Sequence, residues 1–296
     1  MSDTAILGFP DYAGPARALA AELSLPYREA SLHRFPDGES LVRLPQPLAR
    51  RLVICRSLDH PNNKLVELLL SARTARELGT KHITLVSPYL AYMRQDTAFN
   101  AGEAVSQRHV GAFLADLVDA LVCVDPHLHR ISNLAQVVPG TRALAVSSAA
   151  TMGRFLRQQQ IDALLLGPDL ESRQWVSTLA EAAGLPYAVA TKVRRGDRSV
   201  AVTLPAEQFR GRDVVIVDDV VSTGGTVAEA ARLLDGLGAR SVRCLVTHAL
   251  FAPGAEERLA QAGIEAIWSS DSIAHGSNAV ALARCLGDAL RAELTH

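Results

Sequence analysis

The residues best suited to chemistry lie in one run, Asp213-Val-Val-Ile-Val-Asp-Asp-Val-Val-Ser-Thr-Gly-Gly-Thr226. An apolar strand ends there in two carboxylates, Asp218 and Asp219. Thr223-Gly224-Gly225-Thr226 follows, where a helix is expected to begin. Glycines let the backbone come close to an oxyanion. N–H groups at the helix start point at that anion, and the helix dipole favours negative charge. The hydroxyls of Ser222, Thr223 and Thr226 add donors. The two acids would repel the same phosphate, so their work is different. They can accept hydrogen bonds from sugar hydroxyls or hold a divalent cation. The run lacks the Gly-Lys-Ser/Thr ending of a Walker loop and is not a dinucleotide fingerprint.

Such a loop needs a parallel sheet behind it, because open α/β sheets bind ligands at the carboxyl ends of their strands. Short apolar runs supply the strands: Ala5-Phe9, Leu52-Cys55, Ile83-Val86, Ala120-Val124, Ala143-Val146, Ala163-Leu166, Val200-Leu204, Val214-Val217, Arg243-Val246 and Ala266-Ser269. Longer amphipathic stretches lie between many of them, at Pro15-Leu23, Asn63-Leu78, Arg108-Val118, Ala149-Gln159, Arg173-Ala183, Thr226-Leu237 and Glu256-Ala262. That rhythm predicts βαβ units in an α/β chain. The stretch from Ser132 to Thr141 contains Asn, Pro and Gly and precedes a fresh strand, which places a boundary near Ser147. Two domains are expected, over 1–147 and 148–296, with about five strands each. A last helix, read over 279–294, is a candidate to pack back on the first half.

Composition narrows the partners. Thirty basic and 31 acidic residues leave a net charge of -1, which argues against nucleic-acid binding through bulk charge. Cys55, Cys123, Cys244 and Cys285 are scattered, with no zinc spacing. Cys123 and Cys244 sit in apolar runs and read as small core residues, and a reducing compartment suits them. The N-terminus has no basic region followed by a long apolar stretch. No run approaches the ~18 apolar residues of a membrane helix. A soluble cytoplasmic protein is expected, with no nucleic-acid and no membrane partner.

The strand, the Asp-Asp pair and the Thr-Gly-Gly-Thr turn resemble the ribose-5-phosphate loop of the type I phosphoribosyltransferase fold. A minimal transferase needs one such domain, yet a whole α/β half precedes it here. That half carries Arg34-Phe-Pro-Asp-Gly-Glu-Ser40, then Pro88-Tyr-Leu-Ala-Tyr-Met-Arg-Gln-Asp96, then Val124-Asp-Pro-His-Leu-His129. In this order, over nearly the whole chain, the motifs resemble those of the ribose-phosphate pyrophosphokinases. The resemblance implies two tandem type I phosphoribosyltransferase-like domains with parallel sheets flanked by helices. It implies magnesium-dependent transfer of the β,γ-pyrophosphoryl group of ATP to the 1-hydroxyl of ribose 5-phosphate. The products would be 5-phosphoribosyl 1-pyrophosphate and AMP.

Carried over residue by residue, the resemblance gives each motif a role. Phe35 would stack on adenine, with Asp37, Gly38 and Glu39 in a loop contacting the nucleotide. In the family this loop reaches into a neighbouring subunit's site, so a homo-oligomer with sites at subunit interfaces is implied. Arg94 and Gln95 would contact ATP, an Arg fork being suited to phosphate oxygens. His127 and Asp169 would be the magnesium-linked positions. Lys192 and Arg194, in the basic stretch Thr191-Lys-Val-Arg-Arg-Gly-Asp-Arg198, would be a mobile catalytic pair. Asp218, Asp219, Ser222, Thr223, Gly224, Gly225 and Thr226 would hold ribose 5-phosphate.

The chain departs from the family in places. Better-known members carry Asp-x-Gly-Gly where this chain has Asp169-Leu-Glu-Ser172, and Glu171 adds a carboxylate where a polyanion is expected. Ser222 stands where many have Asp. Thr97-Ala-Phe-Asn-Ala-Gly-Glu103 replaces an arginine-rich stretch linked to regulation and subunit contacts. Three other readings stay open beside the synthetase: a phosphoribosyltransferase that consumes the activated sugar, a non-catalytic regulatory paralogue, and an enzyme with a changed sugar or donor.

Overall fold

The computed structural model describes residues 3–98, 100–128, 133–170, 172–194, 200–204 and 209–294, with only the backbone of 191–194 and 200–203. Phe99, His129, Glu171, Arg195 and Arg198 lie outside the described residues. The chain divides into two compact units, Met1–Val146 with Leu282–His296, and Ser147–Ala281.

The first unit contains β1 (Thr4–Gly8), α1 (Ala13–Leu23), β2 (Tyr27–Glu29), β3 (Ser31–Arg34), β4 (Ser40–Arg43), β5 (Arg51–Cys55), α2 (Pro61–Glu77), β6 (His82–Ser87), α3 (Ser106–Ala115), β7 (Ala120–Val124) and β8 (Arg142–Val146). Six strands form a parallel sheet in the order β2-β1-β5-β6-β7-β8. Strand alternation explains the unbroken apolar runs. On β5, Leu52 and Ile54 share a core with Leu68 and Ala72 of α2, whereas Val53 and Cys55 share another with Ala16 and Leu19 of α1. A strand covered on both faces has no polar side. Strands β3 and β4 stand apart as an antiparallel hairpin that pairs Arg34 with Ser40.

The second unit contains α4 (Ala149–Gln158), β9 (Leu164–Gly167), α5 (Arg173–Ala183), β10 (Tyr187–Val189), β11 (Thr191–Arg194), β12 (Val200–Thr203), β13 (Asp213–Val221), α6 (Gly225–Gly236), β14 (Ser241–Ala249), α7 (Ala255–Gln261), β15 (Ile264–Ser270) and β16 (Asn278–Val280). Its parallel sheet runs β10-β9-β13-β14-β15-β16, the same order as the first, and an antiparallel hairpin, β11-β12, again follows the second strand. Val214 and Ile216 pack with Val227 and Leu234 of α6; Val215 and Val217 pack with Leu156 of α4 and Leu179 of α5. Helix α8 (Ala283–Leu294) belongs to the first unit. Its Leu286 and Leu290 join Ala16 and Leu19, and its Arg291 Nη2 donates to Glu22 Oε1 at 2.7 Å.

Each sheet has six strands where the sequence gives about five. The stretch read as Val200-Leu204 is a strand, Val200–Thr203, but it lies outside the six-stranded parallel sheet. It pairs antiparallel with Thr191–Arg194. Residues read as the start of the last helix instead form the edge strand Asn278–Val280, and the helix begins at Ala283. Cys55, Cys123 and Cys244 are buried, and all four cysteines are free thiols. Burial pushes the thiols of Cys123 and Cys244 well up, which makes them poor nucleophiles. Among the described residues, no helix is long and apolar enough to cross a membrane.

Candidate active site

In the second unit, β13 outruns its neighbour. It pairs with β9 only over Val214–Ile216, but follows β14 as far as Val221 opposite Ala249. The segment from Asp218 onward therefore projects beyond β9 at the carboxyl edge of the sheet. Asp219 N–H donates to Asp218 Oδ1 at 3.0 Å. Loss of water around Asp218 and the adjacent Asp219 charge push its carboxyl well above the usual range, and Asp169 adds to the effect. Asp169 follows β9 and is half-buried. Its Oδ1 accepts Ser172 N–H at 3.2 Å, and Ser172 Oγ donates to its carbonyl at 2.7 Å. Three carboxylates thus share one sheet edge.

The loop after β13 is shaped by its own backbone. Gly224 caps α6 at φ 71°, in the left-handed region, and a Cβ there would lie 3.2 Å from Leu259 Cδ2. Only glycine meets both demands without strain. The Ser222 carbonyl accepts from Ala252 N–H at 2.9 Å, and the Thr223 carbonyl accepts from Arg258 Nη1 at 2.7 Å. Thr223, Gly225 and Thr226 are exposed, and Ser222 is half-buried. The first N–H groups of α6 have no intrahelical acceptor, so the loop offers an anion site of hydroxyls and backbone donors. Lys192 and Arg194 lie on β11, where the backbone alone is described.

In the first unit, the hairpin β3-β4 carries the Phe35–Glu39 turn. Phe35 N–H donates to the Glu39 carbonyl at 2.8 Å, and Gly38 N–H to the Phe35 carbonyl at 2.9 Å. Gly38 has φ 94°, and Asp37 Oδ1 accepts Glu39 N–H at 3.1 Å. Phe35 is 39% exposed and packs edge-on against His33, with ring centres 4.8 Å apart. It is not a core plug, so its face is available for stacking. Arg94 is exposed in the segment between β6 and α3. Gln95 Oε1 accepts from Ser106 Oγ at 2.8 Å. His127 is half-buried just past β7. The structure places Arg94, Gln95 and His127 at the carboxyl edge of one parallel sheet, and Asp169 with residues 218–226 at that of the other.

Sequence reading missed the support under the hairpin. Glu67 of α2 is 1% exposed. It accepts from Ser40 Oγ at 2.9 Å, Arg34 Nη2 at 3.4 Å and Arg56 Nη2 at 2.6 Å. Arg56, also buried, reaches Asp11 through Nε at 3.1 Å and lies over the Phe9 ring. The available signal was an arginine ending a buried apolar strand, which demands a partner.

No group of three His, Cys, Asp or Glu that could hold a metal occurs among the described residues. The donors present suit a magnesium ion, which is held by one or two carboxylates, waters and substrate phosphates rather than by a protein cage. The raised carboxyl of Asp218, beside two further acids, is the feature that a cation would relieve.

Comparison with known proteins matches both units. A family model described as "N-terminal domain of ribose phosphate pyrophosphokinase" matches residues 7–117, and "Phosphoribosyl transferase domain" matches 143–268. The ribose-phosphate pyrophosphokinase of Saccharolobus solfataricus is 34% identical over 90% of this chain and 92% of its own. That of Methanopyrus kandleri is 35% identical over 93% and 94%. The crystal structure of phosphoribosylpyrophosphate synthetase from Mycobacterium smegmatis superposes with a TM-score of 0.81 over 99% of both chains, at 22% identity. That likeness speaks for the fold.

Proposed function

The chain belongs to the ribose-phosphate pyrophosphokinase family, and we propose that it transfers the β,γ-pyrophosphoryl group of ATP to the 1-hydroxyl of ribose 5-phosphate. The observation that carries this reading is the paired acids Asp218 and Asp219 set directly before the anion-binding start of α6. A sugar phosphate satisfies both: its phosphate takes the N–H groups of Gly225 and Thr226 and the hydroxyls, and its ring hydroxyls donate to the acids. The names of the curated relatives support the same reaction.

The nucleotide is assigned to the first unit. Phe35 stacks on the base, Asp37, Gly38 and Glu39 line it, and Arg94 and Gln95 hold phosphate oxygens. Oxygen 1 of the sugar forms a bond to the β-phosphorus, the α,β-bridging bond breaks, AMP leaves, and the hydroxyl proton is released. The reactants are polyanions, so catalysis is positioning and charge stabilisation. Lys192 and Arg194 neutralise charge that builds on the transferring group. Magnesium, when bound, would supply Lewis-acid polarisation of phosphate oxygens; Asp169 and the acids of β13 are its candidate holders in the second unit, and His127, through a water that suits so hard an ion, is the candidate in the first. We assign a homo-oligomer with nucleotide sites completed across subunits, and the cytoplasm as the compartment, where the thiols stay reduced.

The deciding experiment mixes the purified protein with ATP, magnesium and ribose 5-phosphate. Equal formation of AMP and 5-phosphoribosyl 1-pyrophosphate is expected. Absence of AMP from folded, ATP-binding protein would overturn the reading in favour of a regulatory paralogue or another sugar.

A further inference from the structure

The Phe35–Glu39 turn projects from the body of its unit, and one buried carboxylate grips its base. Arg34 and Ser40 face each other as the last pair of β3-β4 before the turn. Glu67 Oε1 accepts from both, and Glu67 Oε2 accepts from Arg56. Arg56 is anchored in turn by Asp11 and by the Phe9 ring, 4.4 Å from its guanidinium carbon. Asp11 also takes Lys64 Nζ at 3.0 Å, and Lys64 bonds Asp59 and the Ser57 carbonyl. The hairpin is thereby tied through Glu67 to the carboxyl end of β5 and the first turns of α2. The opposite face carries His33, Leu41 and Phe35, all three exposed.

We propose that Glu67 is a positioning residue that sets the orientation of the Phe35–Glu39 turn toward its ligand. The proposal rests on the reading of that turn as the nucleotide contact. Glu67 touches no substrate. It acts by holding Arg34 and Ser40 at one spacing, so that Phe35, Asp37 and Glu39 keep one arrangement. A turn already held in place loses less freedom on binding. Without the carboxylate, Arg34 and Ser40 lose their shared acceptor and the turn samples more conformations.

The test uses the full chain as Glu67→Gln and, separately, as Arg34→Ala/Ser40→Ala. The double variant leaves the buried Glu67–Arg56 pair intact, so it decides the matter if Glu67→Gln fails to fold. Hydrogen exchange followed by mass spectrometry reads the turn with no ligand present. Exchange across residues 31–43 is expected to quicken about tenfold, the scale of one lost hydrogen bond to a charged group, while peptides from β5, β6 and β13 hold their rates. In steady-state assays KM for ATP is expected to rise about tenfold, with kcat and KM for ribose 5-phosphate within about twofold. A merely structural role would move all the kinetic constants together and quicken exchange throughout the unit. That pattern, unchanged exchange at 31–43, or quickened exchange with an unchanged KM for ATP would each overturn the proposal. A wild-type protein that makes no AMP would instead overturn the functional reading, and the exchange result would still decide whether Glu67 holds the turn.

Discussion

Arg258 Nη1 donates to the Thr223 carbonyl over 2.7 Å. The contact joins α7 to a loop whose own side chains are small, and it fixes one carbonyl of the candidate phosphate site without any ligand. The adjacent Gly224 is held against Leu259 of the same helix. Loop shape is therefore set by α7, an element that bears none of the proposed site residues.

Gly224→Ala is expected to cost about 1–2 kcal/mol of stability, because its left-handed φ and the 3.2 Å approach to Leu259 both penalise a Cβ. KM for ribose 5-phosphate should rise about tenfold or more while KM for ATP holds. Thermal unfolding and steady-state kinetics on one preparation check both.

Asp218→Asn should weaken ribose 5-phosphate binding and yet stabilise the fold. The folded carboxyl is raised by burial and by Asp219, so its charged form opposes folding above the ordinary aspartate value. Removing that charge is expected to raise Tm by about 2–4 °C at pH 7, with no such gain at a pH low enough to protonate the wild-type carboxyl. Unchanged sugar affinity by calorimetry would remove Asp218 from the site.

Lys192→Ala should lower kcat by about a hundredfold or more and leave KM for ATP nearly constant, as expected of a charge that acts while the transition state forms. Equal loss in both constants would reassign Lys192 to substrate binding.

Asp213 gives a prediction remote from the chemistry. Arg240 grips its carboxylate with two bonds, 2.7 and 2.6 Å long, and lowers its pKa to about 2 against an ordinary 3.8. The depressed value means that the pair adds stability above pH 3.8 and gives it up as pH falls through about 2. Asp213→Asn should lower Tm by about 2 °C at pH 7, the modest effect of a solvent-screened pair. The difference from wild type should vanish as the pH approaches 2.

The inner parallel strands were legible because both of their faces are covered, which turns Leu52-Val-Ile-Cys55 and Val214-Val-Ile-Val217 into unbroken apolar runs, whereas the three-residue edge strands Tyr27–Glu29, Tyr187–Val189 and Asn278–Val280 are too short to read. The run from Asp218 to Thr226 was legible because turn chemistry and strand end coincide within a few residues. The hairpin β3-β4 was not read as strands, since each has four residues and only Leu32, Leu41 and Val42 are apolar. Val200–Thr203 is legible as a strand, but not as a partner of Thr191–Arg194 outside the parallel sheet, because period and composition do not reveal which neighbour a strand pairs with. Glu67, Arg56 and Arg34 come together only through tertiary packing, and no local spacing announces such a cluster. Lys192 and Arg194 are singled out by the family resemblance and not by any local spacing.

The two sheets share one strand order, and each lets a two-stranded hairpin out after its second strand. The hairpin that bears Phe35 and the hairpin that bears Lys192 and Arg194 are thus the same element met twice along the chain. In the proposed function these two elements carry different side chains, Phe35, Asp37 and Glu39 in the first unit and Lys192 and Arg194 in the second. Exchanging the two hairpins between units would ask how much of that division of labour resides in the hairpins and how much in the sheets that hold them.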